Sequence, residues 1–380
     1  MTAPVALRAV SPIVVRPIAA TEHLDFVNAQ PSTSFLQTPA WGEVKSEWQR
    51  ESIGWYDDDT LVGVALVLHR QLPKIRRYLA YLPEGPVLDW SRTDLPSFLD
   101  ALMAHARARG AFAVRMGPPV ALRSWSADTI KRAIADNGSR RLSDIPADDR
   151  MPTGQAVVEV LRSQGWRPVA SEQGFTAGQP QFVFQIPLAG RTADDVLAGM
   201  NQLWRRNIKK ADKLGVIVSR GNADDLACFH GLYAETAQRD GFTPRPLSYF
   251  QQMFTVLLAE DPTRIRLYLA RHEADLVAAA TWVKVGRHTW YSYGASSTAK
   301  REVRGSNAVQ WRMIRDSIDA GADVYDLRGI TETLDSDDAH IGLIQFKVGT
   351  GGRAVEYVGE WDLPLNRLIY KAFDAYMSRR

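Results

Sequence analysis

Residues 200–216, MNQLWRRNIKKADKLGV, concentrate five cations in one short stretch. On a helix, Met200, Trp204, Ile208 and Ala211 form an apolar stripe. Arg205, Lys209 and Lys213 stack beside it at four-residue intervals, and Arg206 and Lys210 form the adjacent row. Like charges at that spacing repel by about a few tenths of a kcal/mol per pair, which an anion would relieve. Phosphate is the natural candidate, because Arg offers paired donors to its oxygens and Lys a mobile point charge. A solvated basic face is the plainer alternative. A second cluster, SFLQTPAWGEVKSEW, puts Thr38 or Ser34 where a helix cap belongs and Pro39 in the first turn, with Trp41, Val44 and Trp48 on one face and Lys45 beside them. Lys45 either binds an anion or lies along the surface. In the third cluster, GLIQFKVGTGGRAVEYVGEWDLPLN, Phe346 and Lys347 precede Gly349, Gly351 and Gly352. A Lys held there could meet a developing oxyanion, and an ordinary surface Lys is the alternative.

Other chemistries fit poorly. The glycine cluster lacks the GK[ST] ending of a phosphate loop. The seven histidines show no metal-binding spacing, no GxSxG elbow occurs, and Asp335, Asp337 and Asp338 lack the Gly and Glu of a calcium loop. No metal site is expected. The single Cys228 cannot pair within the chain, which fits a reducing compartment.

Two stretches repeat one pattern of elements around these clusters. DDDTLVGVALVLHR reads as turn and strand, RRYLAYLPEGPVLDW as an aromatic strand and turn, LPSFLDALMAHARARG as a helix closed by Gly110, and AFAVRMG as a strand. EADLVAAATWVKV, HTWYSYGASS, NAVQWRMIRDSIDAG and ADVYDLRGI repeat the series, with Gly321 closing the helix. Gly110 and Gly321 are 211 residues apart, and Gly117 and Gly329 are 212 apart. The spacing predicts a duplicated α/β unit. Two unrelated α/β halves are the alternative. Between the repeats, 136–155 has loop composition, VVEVLRSQGWRP reads as a short helix, and FVFQIPL opens the second half, with the junction near residue 175.

With 380 residues, 45% apolar and 23% charged, the chain is long enough for two cores. Its net charge of +3 does not by itself point to nucleic acid. The start lacks the apolar stretch of a signal peptide, and no later run approaches the ~18 residues of a membrane span, so a soluble cytoplasmic protein is expected.

Taken together, FLQTPAWGEVK, WRRNIKKADKLGV, WYSYGAS, VYDLRGI and GLIQFKVGTGGRAVEYVGEWDLPLN resemble the FemABX family of tRNA-dependent aminoacyltransferases, over nearly the whole chain. The resemblance implies an α/β (α+β) fold of two tandem acetyltransferase-like (GNAT) domains, each a mixed sheet flanked by helices. The first would span 1–174 and be completed by 354–380, and the second 175–353. It implies transfer of an amino acid from aminoacyl-tRNA, as co-substrate and without another cofactor, to an amine on the stem peptide of a peptidoglycan precursor, lipid-linked or UDP-linked. Lys347 and Phe346 would act at the aminoacyl ester. Lys45, Trp41, Arg205, Arg206 and Tyr293 would bind the precursor, with Lys45 and Arg205 clamping its phosphates, and Lys209, Lys210 and Lys213 would meet tRNA. A monomer is expected, in peripheral contact with the inner membrane surface through a lipid-linked substrate.

The sequence also departs from the family. Arg115-Met116-Gly117-Pro118 stands where an Arg-x-Asp-Pro pattern is common, so no carboxylate base is carried over, which leaves a substrate group or the tRNA ribose as proton relay. Residues 302–307 echo the acetyl-CoA signature only weakly, and no helical arm follows Leu214. Two other functions remain open: aminoacylation of a small-molecule acceptor, and tRNA binding without catalysis.

Overall fold

The computed structural model describes residues 12–377 except 74, 137, 170–177 and 339. The junction expected near residue 175 lies outside the described residues. Each expected repeat forms. In the first, the antiparallel strands Thr60–Gln71 and Tyr78–Leu82 lead through helix Leu95–Ala108 to Ala111–Met116, which runs parallel to Tyr78–Leu82. In the second, Asp275–Val285 and His288–Ser296 lead through helix Gly305–Asp319 to the parallel strand Val324–Gly329. Gly110 and Gly321 end the two helices at φ +80° and +70°, a conformation that glycine adopts without a Cβ penalty.

The first sheet runs Val14–Pro17, Gln49–Asp57, Thr60–Gln71, Tyr78–Leu82, Ala111–Met116, Trp361–Pro364, Arg167–Pro168, with Val87–Leu88 pairing beside Thr60–Gln71. The second runs Ile217–Gly221, Ile265–His272, Asp275–Val285, His288–Ser296, Val324–Gly329, Phe182–Pro187, Arg353–Tyr357, Ala121–Ser126, Asp149–Arg150. Both are mixed sheets flanked by helices.

Sheet membership does not follow the expected segments. Ala121–Ser126 and Asp149–Arg150, from the span 1–174, belong to the second sheet, where Ala121–Ser126 pairs with Arg353–Tyr357 and Arg123 forms an ion pair with Glu356. That pairing satisfies the outer backbone groups of Arg353–Tyr357, which would otherwise form an open edge. The chain returns to the first sheet at Arg167–Pro168, leaves it again, and comes back at Trp361–Pro364, which pairs with both Ala111–Met116 and Arg167–Pro168, and helix Arg367–Met377 then packs Phe373 on Phe112 at 5.3 Å. The stretch read as loop contains the end of helix Ala127–Asp136, the bridge Asp149–Arg150 and the start of helix Pro152–Ser163.

A core joins the two sheets. Phe35, Trp41 and Leu66 from one side pack with Phe229, Phe250 and Trp290 from the other. None of the helices among the described residues is long and apolar enough to cross a membrane.

Candidate functional site

Lys45 ends the helix Pro39–Val44 at the boundary between the halves. Pro39 starts that helix, and Glu260 of the second half accepts a hydrogen bond from the Ala40 N–H at 2.9 Å, placing a carboxylate at the helix N-terminus. Trp41 is buried and meets Phe35 edge-on at 5.2 Å, which fixes the turn that carries Lys45. The Lys45 Nζ lies 5.5 Å from the Trp41 ring and 5.3 Å from that of Tyr249.

These groups line a cleft of about 400 Å³ between the halves. Lys45, Trp41 and Tyr81 come from the first half, and Arg245, Tyr249 and Tyr293 from the second. The Arg245 guanidinium stands 5.4 Å from the Tyr249 ring, and the hydroxyls of Tyr249 and Tyr293 are 3.0 Å apart. Burial lowers the Lys45 pKa and Arg245 lowers it further, with Glu47 opposing. Among the described residues neither Lys45 nor Arg245 has a carboxylate within ion-pair distance. Two cations held beside one aromatic floor, neither ion-paired among the described residues, make a site for a polyanion.

Arg205 does not line this cleft. It is half-buried, and its Nη1 donates to the carbonyls of Ala198 and Met200, both at 2.8 Å, closing the end of helix Ala193–Gly199. The cation that the fold sets opposite Lys45 is Arg245. It sits in the loop before helix Leu247–Glu260, four residues from Tyr249, and this Arg-x3-Tyr spacing was its one sequence signal. Arg206, Lys209, Lys210 and Lys213 are exposed on helix Gln202–Lys213, which forms as expected with Trp204 and Ala211 buried. After Leu214 the chain passes directly into strand Ile217–Gly221.

Lys347 is neither a surface residue nor open to a ligand. It is 4% exposed, and its Nζ donates to the carbonyls of Leu327 at 2.8 Å, Gly329 at 2.7 Å and, more weakly, Arg328 at 3.4 Å. The end of strand Val324–Gly329 curls around the ammonium, with Arg328 at φ +62°. Burial pulls the Lys347 pKa down to about 7, Arg328 adds to the fall, and Asp326 opposes it. The curl aims Arg328 across the boundary, where it pairs with Glu84 at 2.8 Å and donates to Gln179 at 3.2 Å. Lys347 therefore positions an arginine of the cleft.

Phe346 belongs to a second cleft, of about 420 Å³, which Trp204, Asn207, Lys300, Arg301 and Arg304 also line. Its ring lies 4.7 Å from that of Trp204, whose indole N–H donates to the Phe346 carbonyl at 2.8 Å. The helix Gly305–Asp319 starts at this cleft and turns its N-terminus toward it. Lys300 is already paired with Glu273 and Asp275, both at 2.7 Å.

One feature of the sheets links the two clefts. In the first half the parallel strands stay paired to their ends, with Leu82 opposite Met116. In the second, pairing stops at Trp290 opposite Asp326, although the strands continue to Ser296 and Gly329. A bulge at Ser292 interrupts the other side of the same strand. Ser292 and Tyr293 then line the first cleft, and Ser296 lines the second. Among the described residues no cluster of side chains could hold a metal ion.

The FemAB family model matches residues 18–271 and 262–377 of the chain. The lipid II:glycine glycyltransferase of Staphylococcus saprophyticus is 25% identical over 416 aligned residues, covering 93% of each chain. That of Staphylococcus aureus strain MRSA252 is 24% identical over 427, covering 94% of each. A crystal structure of FemX superposes with a TM-score of 0.79 at 23% identity, over 94% of this chain and 99% of that one.

Proposed function

This chain belongs to the FemAB family and is a transferase, and from that premise we propose that it moves an aminoacyl group from aminoacyl-tRNA to an amine on the stem peptide of a peptidoglycan precursor. The observation that carries the reading is the cation-lined cleft between the halves, beside a strand, His288–Ser296, that runs on past the end of its parallel pairing to line a second cleft at Ser296. The Lys45–Arg245 cleft takes the precursor, whose phosphates answer the two cations. The cleft with Arg301, Arg304 and a helix N-terminus takes the acceptor end of the tRNA, and the partly exposed Phe346 ring, backed by the buried Trp204, offers apolar surface to its terminal base. The ester then reaches the amine between the parted strands.

The aminoacyl ester is already activated, so holding an uncharged amine against its carbonyl supplies much of the acceleration, up to ~7–11 kcal/mol in favourable cases. Nitrogen attacks, the carbonyl oxygen becomes an oxyanion, and the ribose oxygen leaves with a proton. Arg328, fixed by Lys347 and Glu84, is the cation nearest to hand on the first-cleft side of the parting. The phosphates fit a nucleotide-linked or a lipid-linked precursor, and a lipid-linked one would bring the protein to the inner membrane surface from the cytoplasm. Incubation with both forms of precursor and a mixture of charged tRNAs, followed by weighing of the products, tests the reading. A muropeptide heavier by one amino-acid residue, formed only with charged tRNA, is expected. An unchanged mass with every precursor would exclude the reading.

A further inference from the structure

An acceptor amine arrives protonated at neutral pH, and Gly117 stands at the Asp position of the Arg-x-Asp-Pro pattern. The space beside Gly117 is occupied. A Cβ placed there would fall 2.8 Å from the Glu360 Cγ, and one on Gly178 would fall 2.0 Å from the Glu360 Oε2. Glu360 thus lies in a slot that exists because both positions lack side chains. It is 9% exposed, and the Tyr81 hydroxyl donates to its Oε1 at 2.7 Å. Tyr81 in turn lines the precursor cleft, and the Gln179 amide donates to its hydroxyl at 3.2 Å. The same Gln179 accepts from Arg328.

Resting on the function proposed above, we propose that Tyr81 and Glu360 form the proton relay for the acceptor amine. The ammonium gives one proton to the Tyr81 oxygen as Tyr81 passes its own proton to the Glu360 carboxylate, so that Tyr81 is neutral before and after. The freed amine attacks the ester carbonyl, forming the C–N bond. On collapse the C–O bond to the ribose breaks, and the second amine proton goes to that oxygen. Glu360 returns the first proton to solvent, so one proton is released per amide formed.

The surroundings suit a carboxylate that must accept a proton and then release it. Burial raises the Glu360 pKa and Asp362 adds to the rise, while the Tyr81 hydroxyl, Arg115 and the Gln179 backbone oppose it. Arg115 is itself held by Asp362 through two bonds of 2.7 Å, so its charge is largely spent there. Tyr81 is pushed well above the ordinary tyrosine range, first by burial and then by Glu360, which keeps its hydroxyl protonated as a relay requires.

The test uses the full chain at saturating charged tRNA, with turnover measured against precursor concentration and pH. Tyr81→Phe keeps the ring and removes the relay, and Glu360→Gln keeps the shape and removes the sink. Each is expected to lower kcat by about 10²-fold or more, with the precursor KM within about twofold of wild type. In Glu360→Gln the wild-type rise of kcat through the carboxylate's ionisation should give way to a steady dependence on hydroxide, and Glu360→Asp should recover part of both. If Glu360→Gln fails to fold, Tyr81→Phe decides. A kcat near wild type in either variant, or a loss confined to KM, would overturn the relay while leaving the transferase reading intact. Wild-type protein that transfers nothing from any charged tRNA would overturn both.

Discussion

Arg205 and Arg245 show what can be read one residue at a time. Both are arginines near aromatic residues, and the family resemblance points to Arg205, within the denser charge run, as the phosphate partner of Lys45. Which cation faces Lys45 depends on packing between helices Pro39–Val44 and Leu247–Glu260, about 200 residues apart, and the Arg245-x3-Tyr249 spacing alone does not say what it faces. The geometry gives a direct comparison. Lys45→Ala and Arg245→Ala should each raise the precursor KM by about 10- to 100-fold, the ~1.5–3 kcal/mol of a charge-assisted bond. Arg205→Ala should leave that KM alone and lower unfolding stability by about 1–2 kcal/mol, through two carbonyls left without a donor. Steady-state kinetics and urea titration separate the two effects, and a precursor KM that rose for Arg205→Ala would restore the original clamp. Lys347 carries a prediction of a different kind. Its folded pKa of about 7 lies below the ordinary 10.5, so between those values the unfolded chain holds a proton that the folded chain lacks. Raising the pH through that window then favours the fold. Wild type should gain stability relative to Lys347→Met as pH climbs from about 7 to about 10, by urea unfolding. A difference that stays flat with pH would show that the ammonium is not depressed.

At the scale of elements, strands and helices with strong periodicity were legible, and those held by partners were not. Thr60–Gln71 and Asp275–Val285 are apolar runs behind turns, and Leu95–Ala108 has helical spacing closed by glycine. Ala121–Ser126 is short and half polar, and becomes a strand only because Arg353–Tyr357 presents an open edge. The glycines after Lys347 owe their place to close packing. A Cβ on Gly349 would fall 2.3 Å from Trp204, one on Gly351 would fall 2.1 Å from the Gly199 carbonyl, and one on Gly352 would fall 2.3 Å from that of Gln185. The stretch is glycine-rich so that the chain can lie against helix Ala193–Gly199 and strand Phe182–Pro187, and this seats the helix that carries Phe346 and Lys347. Gly351 also sits at φ +78°. Gly351→Ala should therefore cost more than strain alone, about 2 kcal/mol or more of unfolding stability, with kcat falling alongside. A Gly351→Ala protein as stable as wild type would mean that this backbone contact is loose enough to yield.

For the whole molecule, the question is whether two sheets amount to two folding units. A chain of 380 residues would ordinarily unfold in stages. Here the chain crosses between sheets more than once. Ala121–Ser126 leaves the first half to pair in the second, and Trp361–Pro364 returns to pair beside Ala111–Met116. The two sheets also share a core in which Phe35 meets Trp290 at 5.3 Å, and Arg328 pairs with Glu84 across the boundary. Unfolding either half alone would expose the inner face of the other and strip its sheet of strands, so each half on its own loses more apolar burial than a small domain can spare. The prediction is a single cooperative transition. Trp55 lies fully buried in the first half and Trp282 in the second, which allows each half to be followed separately by comparing Trp55→Phe and Trp282→Phe proteins. Their fluorescence midpoints in urea, corrected for each substitution's own effect on the far-UV CD midpoint, should coincide. Two separated midpoints would show that the halves melt independently, and that the clefts between them belong to a joint rather than to one folded body.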